Sequence, residues 1–265
     1  LGELMDNKKK DQKRQLLILT ILGLVLFFGI WEIVVRVGII SERNLCTPTK
    51  VVQTLIYKLY NTKPDGSTLF VHFLSSIKLS LFGFILAVVV GVPLGLVMGY
   101  YKAMDSFFTP LFEVIRPIPP IAWIPIVILT LGIGFQAKVF IIFISAFVPC
   151  VVNSYLGIKL TDQTLIDVAQ TYGATRWQIF TTICIPSSMN MVFTGVRVSL
   201  AASWSTLVAA EMLASTEGLG YMIQIGRNLI RPDIILVGMI TIGIVGALMG
   251  WVLSLFEKKV APWRY

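Results

Sequence analysis

The chain has 265 residues, 56% of them hydrophobic and only 14% charged, with a mean hydropathy of +0.82 and a formal charge of +8. A soluble domain carries roughly a quarter charged residues, so this composition excludes a water-covered globule, and the nearly continuous aliphatic and aromatic content excludes a disordered or fibrous chain. Much of the surface must meet lipid.

The positive excess fits two readings, the cytoplasmic Lys/Arg bias of a membrane protein and attraction of an anionic solute. The basic residues are scattered at helix ends and form no nucleic-acid patch. Cys46, Cys150 and Cys184 are odd in number and far apart, so no disulfide framework is expected. His72 is the sole histidine, and alone it builds neither a zinc site nor a bis-histidine haem. No cofactor is expected.

In chain order, six stretches approach the length of about 20 apolar residues that crosses a bilayer. They are 16–35, about 77–100, 107–131, about 139–157, about 187–213 and 234–256. Lys8, Lys9, Lys10, Lys13 and Arg14 precede the first, with no small-residue cleavage site, which predicts a retained first span and a cytoplasmic N-terminus. Six crossings return Lys258, Lys259 and Arg264 to the same side. Residues 37–76 are then external, although Arg43, Lys50, Lys58 and Lys63 run against the rule locally. Thr47 and Pro48 open a helix there. Val51, Val52, Leu55, Ile56 and Leu59 share one face, predicting an amphipathic helix on the outer membrane surface. Residues 61–67, with Pro64, Asp65 and Gly66, form a turn.

The second span carries Gly83, Gly91, Gly95 and Gly99, and the sixth Gly243, Gly246 and Gly250, spacings that let helices approach closely. In the third, Arg116 precedes Pro117, Pro119 and Pro120, so the helix must break. Freed carbonyls at membrane depth face protein or water. Arg116 therefore lines a pore or caps a structural kink, and Trp123 is a lining residue or an interfacial aromatic. In the fourth span, Ser145, Pro149 and Asn153 share a face that either turns toward a path or packs between helices. In the fifth, Arg197, Trp204 and Glu211 lie seven residues apart on one stripe bordered by Ala201 and Ser205, with Thr206 opposite. That stripe is expected either to wall a cavity at a dimer axis or to make salt bridges within the fold.

Between the fourth and fifth spans lies the longest polar interval on the expected cytoplasmic side, 161–183. Thr161 or Asp162 caps a helix to about Tyr172, Gly173 stops it, Thr175 caps a second short helix, and Pro186 opens the fifth span.

Here the sequence resembles the permeases of ABC importers, whose cytoplasmic motif reads EAA, three residues, G, nine residues, I-x-L-P. This chain has Asp167-Val168-Ala169, Gly173 and Ile183-Cys184-Ile185-Pro186 at the same spacing, with Asp for Glu, Val for Ala and Ile for Leu. The stretches 91–95, 116–120, 122–125, 195–197, 210–213 and 218–220 resemble the nitrate/sulfonate/taurine/bicarbonate group. The resemblance runs from about residue 48 to 257 and implies an all-α integral membrane fold of about six spans, the type I importer permease fold. It divides the chain into a cytoplasmic segment 1–15, a first span 16–36, an external segment 37–69, a core 70–257 with a coupling segment 161–183, and a tail 258–265. It implies that Asp167, Val168, Ala169, Gly173 and Ala174 contact a separate ATPase. It also implies a homodimer, two ATP-binding subunits, an extracytoplasmic solute-binding protein and a bacterial inner-membrane location.

The sequence has no GxxxxGK[ST] loop and no Ser/His/Asp set, so it is not expected to be an enzyme. A secondary transporter or a membrane-embedded redox subunit is the alternative. Either would call for internal repeats, paired histidines or clustered carboxylates in the spans.

Overall fold

The computed structural model describes the backbone of residues 2–260. Arg264, with the rest of the expected tail at 261–265, lies outside the described residues, as do the side chains of Lys8, Lys9, Lys10 and Lys13. Among the described residues there are eleven α-helices and no strand. Five helices are long and apolar enough to cross a membrane, or six if one bent pair counts as a span.

Helix α1 (Gly2–Arg36) stands apart from the bundle, with only 6% of its apolar window buried. It is tied to the next segment by two side chains. Trp31 Nε1 donates to the Cys46 carbonyl at 3.1 Å, and Glu32 accepts from the Thr49 N–H and hydroxyl at 3.2 and 2.8 Å. Helix α2 (Pro48–Tyr60) starts at the expected cap, Thr47, whose hydroxyl accepts from Lys50 N. Its faces differ from expectation. Val51, Thr54 and Lys58 are buried, whereas Val52, Ile56 and Leu59 are exposed. The docked face holds polar groups because their partners are buried with them: Thr54 donates to Asp233 at 2.8 Å, and Lys58 pairs with Asp65. The single apolar face read from periodicity is therefore split between protein and surroundings.

Helix α3 (Leu69–Tyr100) begins earlier than the second apolar stretch, since His72 and Ser76 are buried against partners in its first turns. Helix α4 (Lys102–Ile115) and helix α5 (Ile124–Leu131) are joined through a 3₁₀ turn, Pro120–Trp123, and bent by 85°. Pro117, Pro119 and Pro120 withhold the N–H groups that would continue the ladder. Helix α6 (Phe135–Lys159) follows, then α7 (Gln163–Thr171) and α8 (Arg176–Ile179). A π-turn, Phe180–Cys184, leads into α9 (Ile185–Ala214), with Pro186 in its first turn. Helices α10 (Leu219–Asn228) and α11 (Pro232–Val260) close the described chain.

The core is α3, α6 and α9 side by side. The expected glycine stripe makes the α3–α6 approach. A Cβ on Gly91 would stand 2.9 Å from Cys150 Cβ, and one on Gly99 would stand 2.7 Å from Ile158 Cβ. In α11, Gly246 alone of the three expected glycines meets another helix, at the Trp204 ring, while Gly243 and Gly250 face open space.

Side-chain bonds sort the loops onto two ends of the bundle. One end gathers α2, the turn at 61–68, the start of α3 and α10, through Thr54–Asp233 and His72–Gly218. The other gathers α7 and α8 with the facing ends of α3, α4 and α6, through Tyr100–Arg176 and Lys159–Asp105.

Candidate functional site

The polar interval folds as its caps dictate. Asp162 accepts from Thr164 N at 2.8 Å and opens α7. That backbone bond holds the Asp162 carboxyl below its usual range. Gly173 adopts φ +78°, and the Ala174 N–H returns to the Ala169 carbonyl at 3.0 Å, closing the helix with a left-handed residue. Thr175 and Gln178 form a capping box for α8. The pair is rooted in the bundle: Ile166, Ala169 and Ala174 pack on a core of Ile179, Phe180 and Leu96. Tyr100 adds a hydroxyl bond to the Arg176 carbonyl at 2.9 Å.

In this orientation the residues of the motif divide between an inward and an outward face. Ala169 and Ala174 are small because they face inward, toward the bundle. Outward lie Asp167, Leu165, Val168 and Tyr172, the last 88% exposed. Leu165, Val168 and Tyr172 thus form an exposed apolar patch on α7. Leu165 and Tyr172 lie outside the family motif, although their spacing with Val168 places them on one helical face.

The broken span forms a second feature. Arg116 lies at the bend and borders a cleft of about 320 Å³ that also takes in Ser145, Pro149, Ser205 and Thr206. Ser145 and Thr206 share a hydroxyl–hydroxyl bond of 2.7 Å across the α6–α9 seam. The α9 face on this cleft is thus Ala202, Ser205 and Thr206, which runs from the border of the stripe singled out from the sequence to the side opposite it. Asn153 is not on it. Its amide donates to the Pro149 carbonyl at 2.8 Å, and its Cβ packs where Gly195 leaves room. Trp123 lies in an adjoining apolar crevice with Phe108, Phe140 and Phe147. Its Nε1 is buried without a hydrogen-bond partner among the described residues.

Within the chain, the residues of the stripe meet α3, α10 and α11. Arg197 pairs with the buried Glu257 of α11. Trp204 is buried and donates to the Ile242 carbonyl at 3.1 Å. Glu211 is 1% exposed and accepts from the Ser76 hydroxyl and from the Gly220 N–H at 2.9 Å. Gly218 N donates to His72 Nδ1 at 3.0 Å, and Leu219 N to Ser76 Oγ at 2.9 Å. Three N–H groups at the start of α10 are therefore satisfied by side chains of α3 and α9, which anchors α10 across the bundle. Sequence spacing put Arg197, Trp204 and Glu211 on one line but could not show which helices they meet, α11 for the first two and α3 and α10 for Glu211.

Beside that anchor, Lys58 and Asp65 form a pair with both side chains fully buried. Lys58 also donates to the Ser67 carbonyl at 2.7 Å, and His72 Nε2 lies 3.2 Å from Asp65 Oδ2. Burial pushes the Asp65 carboxyl up, but the His72 and Lys58 groups outweigh it and hold it below its ordinary value.

Comparison with known proteins agrees with this architecture. The family described as binding-protein-dependent transport system inner membrane component matches residues 91–263. The taurine transport system permease protein of Escherichia coli is 32% identical, over 93% of this chain and 90% of its own. Nitrate import permease proteins of Synechocystis and Leptolyngbya laminosa are 33% and 28% identical, over 83% and 92% of this chain and 81% and 87% of theirs.

Proposed function

The chain belongs to the inner-membrane permease family of binding-protein-dependent ABC importers, and from that premise we propose that it moves a small anionic solute inward by alternating access, powered by ATP hydrolysed on separate subunits. Such permeases are not themselves enzymes. The proposed solute class rests on relatives named for taurine and nitrate, together with the one cationic side chain, Arg116, on the cleft at the broken span.

The observation that carries the reading is the exposed apolar face of α7 on a helix pair rooted in three core helices. A partner bound to Leu165, Val168 and Tyr172 would push on α7. Ile166, Ala169 and the Tyr100–Arg176 bond would pass that push to α3 and α9. The end carrying α7 is cytoplasmic in this reading, as are both termini, and the end carrying α2 and α10 receives solute from a binding protein. Two copies of the chain work with two ATPase subunits. The path follows Arg116, Ser145, Ser205 and Thr206, with Trp123 at its apolar margin.

A Val168→Asp variant tests this. The substitution lies on an exposed face, so the purified permease should melt as the unmodified protein does. Copurification of the ATPase subunit should fall at least tenfold, and ATP-driven uptake in proteoliposomes should fall with it. Full ATPase retention and uptake in Val168→Asp would refute the docking face.

A further inference from the structure

The turn between α10 and α11 is built on a residue that the backbone disfavours. Ile230 adopts φ +53°, a left-handed conformation that is a true outlier for a β-branched residue. The hydrogen bonds define the turn: Ile230 N donates to the Arg227 carbonyl at 3.2 Å and Arg231 N to the Gly226 carbonyl at 2.8 Å. This is the doubly bonded helix stop whose left-handed position glycine usually fills. The same chain closes α7 that way with Gly173, so the fold does not require isoleucine at 230. Nor is the side chain used internally. Ile230 is 69% and Leu229 51% exposed, and the positions that normally close such a turn with an apolar contact are Gly226 and Arg231. Strain held in an exposed apolar residue points to a task outside the subunit.

The surroundings are basic. Arg227 and Arg231 flank the two apolar residues and are exposed. Arg231 continues into a cleft of about 540 Å³ lined also by Lys50 and Lys63. Arg231 reaches back to Asp233 with Nε and Nη2, at 2.9 and 2.7 Å, and Lys50 lies 3.7 Å from Glu42, so part of this charge is answered within the chain. Lys63 on the cleft and Arg227 in the last turn of α10 add further positive charge. The turn lies at the same end as α2, whose exposed Val52, Ile56 and Leu59 occupy a different face from Lys50, Gln53 and Tyr57 at the cleft.

We propose that Leu229–Ile230 is a docking knob, and the Lys50–Lys63–Arg231 cleft its electrostatic rim, for a soluble protein that presents carboxylates around a small apolar notch. Within the function proposed above, on which this inference rests, that partner is the importer's solute-binding protein. Charge complementarity sets orientation and approach rate, and the knob sets residence time.

The strain makes the test discriminating, because docking and stability should move in opposite directions. In proteoliposomes holding the complete importer, the probe is the liganded solute-binding protein that sustains its uptake. Ile230→Gly should melt at the same temperature as the unmodified protein or higher, while the binding-protein concentration for half-maximal ATPase stimulation rises at least tenfold. Lys50→Gln/Lys63→Gln should flatten the dependence of that concentration on salt. An unchanged half-maximal concentration in Ile230→Gly, or a lowered melting temperature, overturns the knob. A fluorophore on Leu229→Cys that lipid shields from a water-soluble quencher without binding protein present overturns it in favour of a membrane contact. If the unmodified complex shows no ATP-driven, binding-protein-dependent uptake, the functional reading fails, and the docking site fails with it.

Discussion

Replacing Arg197 by alanine separates a tie between helices from a group that handles solute. In the structure its guanidinium pairs with Glu257, joining α9 to α11. The two side chains are unequally placed, with 51% of Arg197 and 1% of Glu257 exposed. Removing one partner of a fully buried pair costs about 3–5 kcal/mol, and a hydrogen bond to a charged group contributes about 1.5–3 kcal/mol. Water screens the half-exposed guanidinium, so the lower part of that second range applies, about 1.5–2 kcal/mol. That is roughly a ten- to thirtyfold change in the folded-to-unfolded ratio. Arg197→Ala should therefore lower stability in detergent by that amount, because a carboxylate kept from water loses this ion pair. Glu257→Gln removes the charge that suffers, so the double variant should lose less than the two single variants together. The coupling should be about 1 kcal/mol or more. The assay is a double-mutant cycle on thermal or denaturant unfolding, run beside uptake in proteoliposomes, and uptake should follow stability, including its partial recovery in the double variant. Arg197→Ala that melts normally, imports nothing and is not helped by Glu257→Gln would refute the tie and place Arg197 on the solute path.

Two further outcomes follow from packing and burial. Gly95→Ala would press a methyl group against the Val151 carbonyl and within 2.8 Å of Ser154 Cβ. Backbone cannot step aside there, so a loss of about 1–3 kcal/mol is expected in unfolding measurements, and unchanged melting would show that α3 and α6 approach less closely than described. Asp65→Asn should cost about 3–5 kcal/mol, since it leaves Lys58 buried without its carboxylate. Because the folded-state carboxyl is held below its ordinary 3.8, its stabilisation is complete above that pH and is lost as pH falls through the lower folded value. The unmodified protein should thus lose stability below about pH 4 in a limb that Asp65→Asn lacks, and an identical acid limb in both proteins would contradict the assignment.

Much of the molecule is local and so was legible in the chain. Spans follow from apolar length, the break after Arg116 from three prolines, and the α7–α8 pair from the caps Asp162, Gly173 and Thr175. The close α3–α6 seam follows from glycine spacing, and the spacing from Asp167 to Pro186 carried the family.

What periodicity could not assign was the neighbour of each helical face. Arg197, Trp204 and Glu211 do share a stripe, but the groups that meet it, Glu257, the Ile242 carbonyl and Ser76, come from helices distant in sequence. The α9 surface on the cleft runs from the border of that stripe at Ser205 round to Thr206 on the far side, which only the packing of α6 and the bend at Arg116 reveals. Ala169 likewise belongs to the family motif yet faces inward, leaving Leu165, Val168 and Tyr172 outermost. The physical reason is the same throughout. Caps, breaks and apolar length act through neighbours within a few residues, whereas burial of a charge or exposure of an apolar face depends on which distant segment arrives to cover it.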